Sequence, residues 1–134
     1  MRLIPLAAAL LGALLLASSA AAKTTSAKTV VVKGGDITCY ATIPEEGRGI
    51  NCTSTFLPDT GELDPYAGLK PHGAPVLAER GDYGGYATPK RVTLKPRDRW
   101  RWRGITCVAG TSSITCRNLD GRGFTISPTG YRGR

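Results

Sequence analysis

Residues 36–56 read DITCYATIPEEGRGINCTSTF, and residues 104–118 read GITCVAGTSSITCRN. Side chains alternate along a strand, so Cys39, Ala41 and Ile43 share one face. Folding the first stretch about Glu45-Glu46 sets Cys39 opposite Cys52, Ala41 opposite Ile50 and Ile43 opposite Arg48. Opposed residues of an antiparallel pair lie close enough for a disulfide. Folding the second stretch about Thr111-Ser112 sets Cys107 opposite Cys116, with Ile105 and Ile114 on the cysteine face. The two stretches also resemble each other: ITCYA and INCTS stand against ITCVA and ITCRN. They read as two related hairpins, each stapled across itself. Four cysteines allow three pairings, and pairing between the hairpins stays open.

The chain around these hairpins has many short strand candidates and frequent turn signals. Val30-Val31-Val32 reads as a first or edge strand after a polar spacer, the two together filling residues 23–35. Residues 57–75 (LPDTGELDPYAGLKPHGAP) carry Pro or Gly at seven positions. Proline removes ladder donors and glycine weakens strands, so this stretch reads as a long irregular excursion. Further candidates lie at residues 75–79, 83–87, 91–94, 99–103 and 124–126, the last ended by Ser127-Pro128. No amphipathic helix of useful length follows residue 22. The expected fold is all-β, a small disulfide-stapled antiparallel barrel or sandwich, with a single domain over residues 36–132.

Residues 1–22 have a different character. Met1-Arg2 is a short positive start, residues 3–22 carry no charge, and Ala20-Ala21-Ala22 precedes Lys23. This is the pattern of a secretory signal cut after Ala22; an uncleaved membrane anchor is the alternative, the apolar run being near spanning length. The expected location is exported, periplasmic or extracellular, where an even cysteine count forms disulfides. A four-thiol metal site is the alternative use of Cys39, Cys52, Cys107 and Cys116. Their C-x12-C and C-x8-C spacings are unlike the C-x2–4-C pairs of structural zinc sites.

The string GITCVAGTSSITCRNLDGRGFTISPTGYR resembles the end of a family of small secreted bacterial domains, domain of unknown function 6636. The shared pattern is a Gly-aromatic-Thr-Cys strand, a Thr-Cys-x-Asn strand, a Gly-His-Gly-Phe run, a Ser and a Tyr-Arg close. It falls here on Gly104 to Cys107, Thr115 to Asn118, Gly121 to Phe124, Ser127 and Tyr131-Arg132. GGDITCYAT…INCTS is similar to the family's opening hairpin. Arg122 stands in the place of the family's His, and the middle of the chain lacks the extra cysteine pair that many members carry. The resemblance implies fold and export, and brings no catalytic residues with it.

Charge supplies the functional candidate. The chain has 18 Lys and Arg against 10 Asp and Glu. Residues 90–103 (KRVTLKPRDRWRWR) concentrate seven of those cations with one acid: Lys90, Arg91, Lys95, Arg97, Arg99, Arg101 and Arg103 with Asp98. If residues 97–103 form a strand, the four arginines share one face, and Asp98, Trp100 and Trp102 share the other. An unpaired arginine ladder invites an anionic partner through the planar guanidinium fork; a solvated face that protects a sheet edge is the plainer reading. The favoured function is a non-enzymatic exported binding module for an anionic envelope polymer or a secreted protein. Inhibition of a secreted hydrolase by the 57–75 excursion is the alternative, and an enzyme is a distant third.

Weaker features have ordinary readings. His72 reads as a solvated loop residue, and Asp59, Glu62 and Asp64 as turn residues rather than a calcium site. The aromatic turn at residues 81–86 reads as core cover rather than a glycan platform, and Asn51-Cys52-Thr53 as an incidental sequon. No cofactor, metal or nucleic acid is expected, and the chain is expected to be a monomer.

Overall fold

The structure is a computed structural model that describes residues 21–34, 36–42, 47–59, 61–81 and 90–134. Residues 1–20, the first hairpin's tip at 43–46 and the aromatic turn and strand expected over 82–87 lie outside the described residues. Among the described residues twelve strands form: β1 (Thr24–Thr25), β2 (Thr29–Val32), β3 (Ile37–Ala41), β4 (Ile50–Ser54), β5 (Asp64–Leu69), β6 (Val76–Arg80), β7 (Val92–Leu94), β8 (Arg99–Trp102), β9 (Ile105–Ala109), β10 (Ile114–Arg117), β11 (Gly123–Ser127) and β12 (Gly130–Gly133). Threonine, valine and isoleucine dominate them, and the branched side chains suit a pleated surface.

The strands make two open six-stranded sheets, in the orders β6-β5-β4-β3-β2-β7 and β1-β8-β9-β10-β11-β12. One apolar cluster joins them. The first sheet contributes Val30, Val32, Ile37, Cys39, Ile50, Cys52, Ala67 and Leu69; the second contributes Trp100, Ile105, Cys107, Ala109, Ile114, Cys116, Phe124 and Ile126. The architecture is therefore a sandwich. Both hairpin registers are as the sequence predicts: Cys39 pairs with Cys52 and Ala41 with Ile50, and Cys107 pairs with Cys116. The disulfides are Cys39–Cys52 and Cys107–Cys116, each within its own hairpin.

The chain takes the same course twice. A short strand (β1 or β7) is followed by a five-strand antiparallel meander (β2–β6 or β8–β12). Each short strand leaves its own meander and lies parallel beside the first strand of the other: β1 on β8, and β7 on β2. Val30 and Trp100 are equivalent positions, each paired with the first cysteine of its hairpin. Each sheet thus contains a strand from the other half.

Four details depart from the sequence reading. The polar spacer contains β1, which pairs with β8 through Thr24 and Thr25. With β2 it places strands of the sandwich before residue 36. The 57–75 excursion contains β5, an internal strand held by β4 and β6. Pro65 is tolerated because β5 pairs there only with Glu79 of β6, the pairing to β4 beginning at Ala67. Gly68 is accommodated because a Cβ there would come within 3.0 Å of Asn51 Oδ1 and Val76 Cγ2. β11 ends at Ser127, as expected, but the chain then turns at Gly130, at φ +118°, into a further strand, β12, that the sequence reading did not place.

Asn118 ties the sheets together away from the core. Its amide nitrogen donates to the carbonyls of Lys70 (3.0 Å) and Gly73 (2.8 Å) in the β5–β6 turn. Its oxygen accepts from Asp120 N and Arg122 N, both at 3.0 Å, in the β10–β11 turn. Asn118→Ala should strand these groups and cost about 2–4 kcal/mol, read as a lower urea midpoint. Gly123 is needed for a different reason, since a Cβ would lie 1.7 Å from the Cys116 carbonyl oxygen. Gly123→Ala should force β11 off β10 and cost at least about 3 kcal/mol by the same measurement.

Candidate basic interface

The alternation in β8 is what positions the arginines. Trp100 turns inward and is 1% exposed, and its indole N–H donates to Ala27 O at 2.7 Å. Trp102 packs against the core from its margin. Arg99 and Arg101 therefore project from the opposite, outer face.

Pairing extends this face across the sheet. Arg101 stands beside Thr106, and Thr106 beside Arg117. Arg99 stands beside Val108, followed in register by Thr115, Thr125 and Arg132. The result is two rows with arginine at their margins and threonine between. The Thr115 and Thr125 hydroxyls lie 3.0 Å apart. Arg99, Arg101, Arg117 and Arg132 all reach solvent. Among the described residues, none of the four is ion-paired to a carboxylate. Backbone positions two residues apart on one strand are spaced at roughly 6.6 Å, and those two strands apart at roughly 9.6 Å.

This is a different set of residues from the ladder that the sequence suggests. Arg97 (φ +76°) and Arg103 (φ +43°) sit in left-handed turns at either end of β8, so the strict alternation stops at Arg99 and Trp102. Arg103 places its guanidinium 5.7 Å from the Trp102 ring centre, a cation–π contact on the core-facing tryptophan. Lys90, Arg91 and Lys95 flank β7, which belongs to the other sheet. The basic run of the sequence is thus divided between two sheets. Arg117 and Arg132 carry no signal in the sequence, because only the register brings them to the face.

The outer surface of the first sheet carries two recesses. A groove of about 750 Å3 has Thr38, Tyr40 and Thr53 among its lining residues, together with Asp36, Asp59, Glu62, Asp64 and Arg91. Asp59, Glu62 and Asp64 all line this groove. Among the described residues no three histidine, cysteine or acidic side chains form a metal-binding group. A neighbouring cavity of about 510 Å3 is lined by Asn51, Tyr66, Gly68 and Lys70. Asn51 is buried there, so the sequon asparagine is shielded in the folded chain.

His72 is not an isolated loop residue. Its Nδ1 lies 2.9 Å from Asp120 Oδ1, and Gly73 N–H donates to Asp120 Oδ2 at 2.7 Å. The hydrogen bond from His72, and then that from Gly73, hold the Asp120 carboxyl below its ordinary range. The pair reinforces the tie made by Asn118.

Comparison with known proteins finds no similar one: no family model, no curated protein and no solved structure matches this chain.

Proposed function

We propose that this protein is an exported, non-enzymatic binding module that holds a polyanionic partner of the cell envelope against the outer face of its second sheet. The carrying observation is the registered set Arg99, Arg101, Arg117 and Arg132, set among threonines with no carboxylate paired to them among the described residues. Guanidinium groups match phosphate or carboxylate by paired hydrogen bonds, and threonine hydroxyls between them can donate to the same oxygens. Repulsion among four cations on one sheet face is relieved by an anion. Export is supported by the apolar run ahead of Lys23 and by two disulfides in so short a chain. Among the described residues no helix is long and apolar enough to cross a membrane.

The hydrolase-inhibitor reading is weaker, because the middle of the excursion it needed is the internal strand β5. An enzyme built on His72 is weaker still, since that side chain stands exposed on the β5–β6 turn.

Polyphosphate and heparin are suitable probes of the basic face. Binding should weaken roughly 50-fold between about 50 and 200 mM salt if four charges are neutralised. Replacing Arg99, Arg101, Arg117 and Arg132 together by Glu should abolish it with the fold intact by circular dichroism, whereas changing Arg97 and Arg103 should have a much smaller effect. Retention on both probes by the fourfold variant would show that another surface binds.

A further inference from the structure

Asp98 is the one buried carboxylate among the described residues, 4% exposed. It lies in the turn between β7 and β8, where its two oxygens accept the backbone N–H of Lys23 at 2.9 Å and of Lys95 at 2.8 Å. The nearest cation is the Lys23 Nζ, at 4.0 Å on a half-exposed side chain. Lys23 is also fixed from its carbonyl, which accepts Arg99 N–H at 2.9 Å. The two backbone donors already favour its charged form, and a cation in place of one of them would add a direct Coulombic attraction. The residue whose backbone nitrogen reaches it is the first after the Ala20-Ala21-Ala22 signal end, and Ala21 and Ala22 are exposed.

We propose that Asp98 is a socket for the amino terminus made when the leader is cut between Ala22 and Lys23. The inference rests on the export reading. The cut is hydrolysis by an endopeptidase of the export pathway. Water's oxygen bonds to the Ala22 carbonyl carbon, which leaves as a carboxylate. The Lys23 nitrogen keeps the electron pair of the broken bond, takes up both of the water's protons and becomes an α-ammonium. A neutral N–H donor on Asp98 is thereby replaced by a full positive charge at the same position. Processing then adds an ionic tie at the start of β1, whose pairing with β8 the uncut chain already makes.

The signs are fixed by linkage. An α-amine that gains a carboxylate partner has a raised pKa in the folded state. Its stabilisation is complete below the unfolded value of about 7.7–8.0 and is lost as pH rises through the raised one. The charged side chains facing Asp98 are those of Lys23 and Lys95, and both are present in every protein compared below.

All described strands and both disulfides lie beyond residue 22, so chains starting there retain the whole sandwich. The test compares oxidised chains beginning at Lys23 and at Ala22, each with the native Asp98 and with the Asp98→Asn substitution. With the native residue, the Lys23 chain should melt several degrees above the Ala22 chain at pH 6, and the gap should close as pH rises past about 9. With Asp98→Asn, the two chains should coincide at every pH. Equal melting of the two native-Asp98 chains at pH 6, or an undiminished gap between the two Asp98→Asn chains, overturns the socket. The intact mass of the protein recovered from an exporting host separates the two readings. A chain beginning at Lys23 supports both, removal of the leader at another bond overturns the socket alone, and a retained leader overturns the export reading as well.

Discussion

Four sulfur atoms at the centre of the sandwich constrain the rest of the structure. Cys39, Cys52, Cys107 and Cys116 are each no more than 1% exposed, and each disulfide joins directly opposed residues of one hairpin. A register slip of one residue would exchange the two faces of a strand, placing threonines in the core and isoleucines in water. The cross-links forbid that slip in β3–β4 and β9–β10, and the outer strands of both meanders build on those pairs. By chain entropy each link contributes on the order of 2–3 kcal/mol. In a chain this short, with little stability in reserve, that is a substantial share.

Around these hairpins the fold is a duplication in which each half completes the other's sheet. Because β1 crosses to β8 and β7 crosses to β2, neither meander is complete alone. The equivalence of Val30 and Trp100 shows how the halves have diverged. The larger residue of the second half needs a hydrogen-bond partner for its indole, and finds it in Ala27, on the link between β1 and β2. The outer faces have diverged further. One carries arginine and threonine in register, and the other carries hydroxyl groups, acids and two cavities. The arginine-bearing face and the two cavities thus lie on opposite sides of the molecule.

Polar groups secure what the core does not reach. Asn118 satisfies two backbone carbonyls and two backbone N–H groups at once, so it fixes the mutual position of two turns from different sheets. Asp98 plays a similar part beside the parallel junction of β1 with β8. The hydrogen bond from Lys23 N–H, and then that from Lys95 N–H, depress its pKa. Its contribution to stability is therefore present above the ordinary carboxylate pKa and is lost only as acid protonates the folded form.

Whatever depends on near neighbours is legible in the residues alone. Period-two alternation and a short turn are enough to pair Cys39 with Cys52 and Cys107 with Cys116, and to send Trp100 inward with Arg99 and Arg101 outward. Features that depend on distant pairing emerge only in the folded chain. Two threonines in β1 carry no periodicity of their own and become a strand only because β8 offers an edge. Pro65 and Gly68 look like strand breakers until one-sided pairing and a crowded neighbourhood make them acceptable in β5. Arg117 and Arg132 join Arg99 and Arg101 through register alone, while Lys90, Arg91 and Lys95, close in sequence, fall to the other sheet. One cause underlies all of these differences: alternation fixes the face of a side chain within one strand, but which strands stand side by side is set by burying a single core between two sheets.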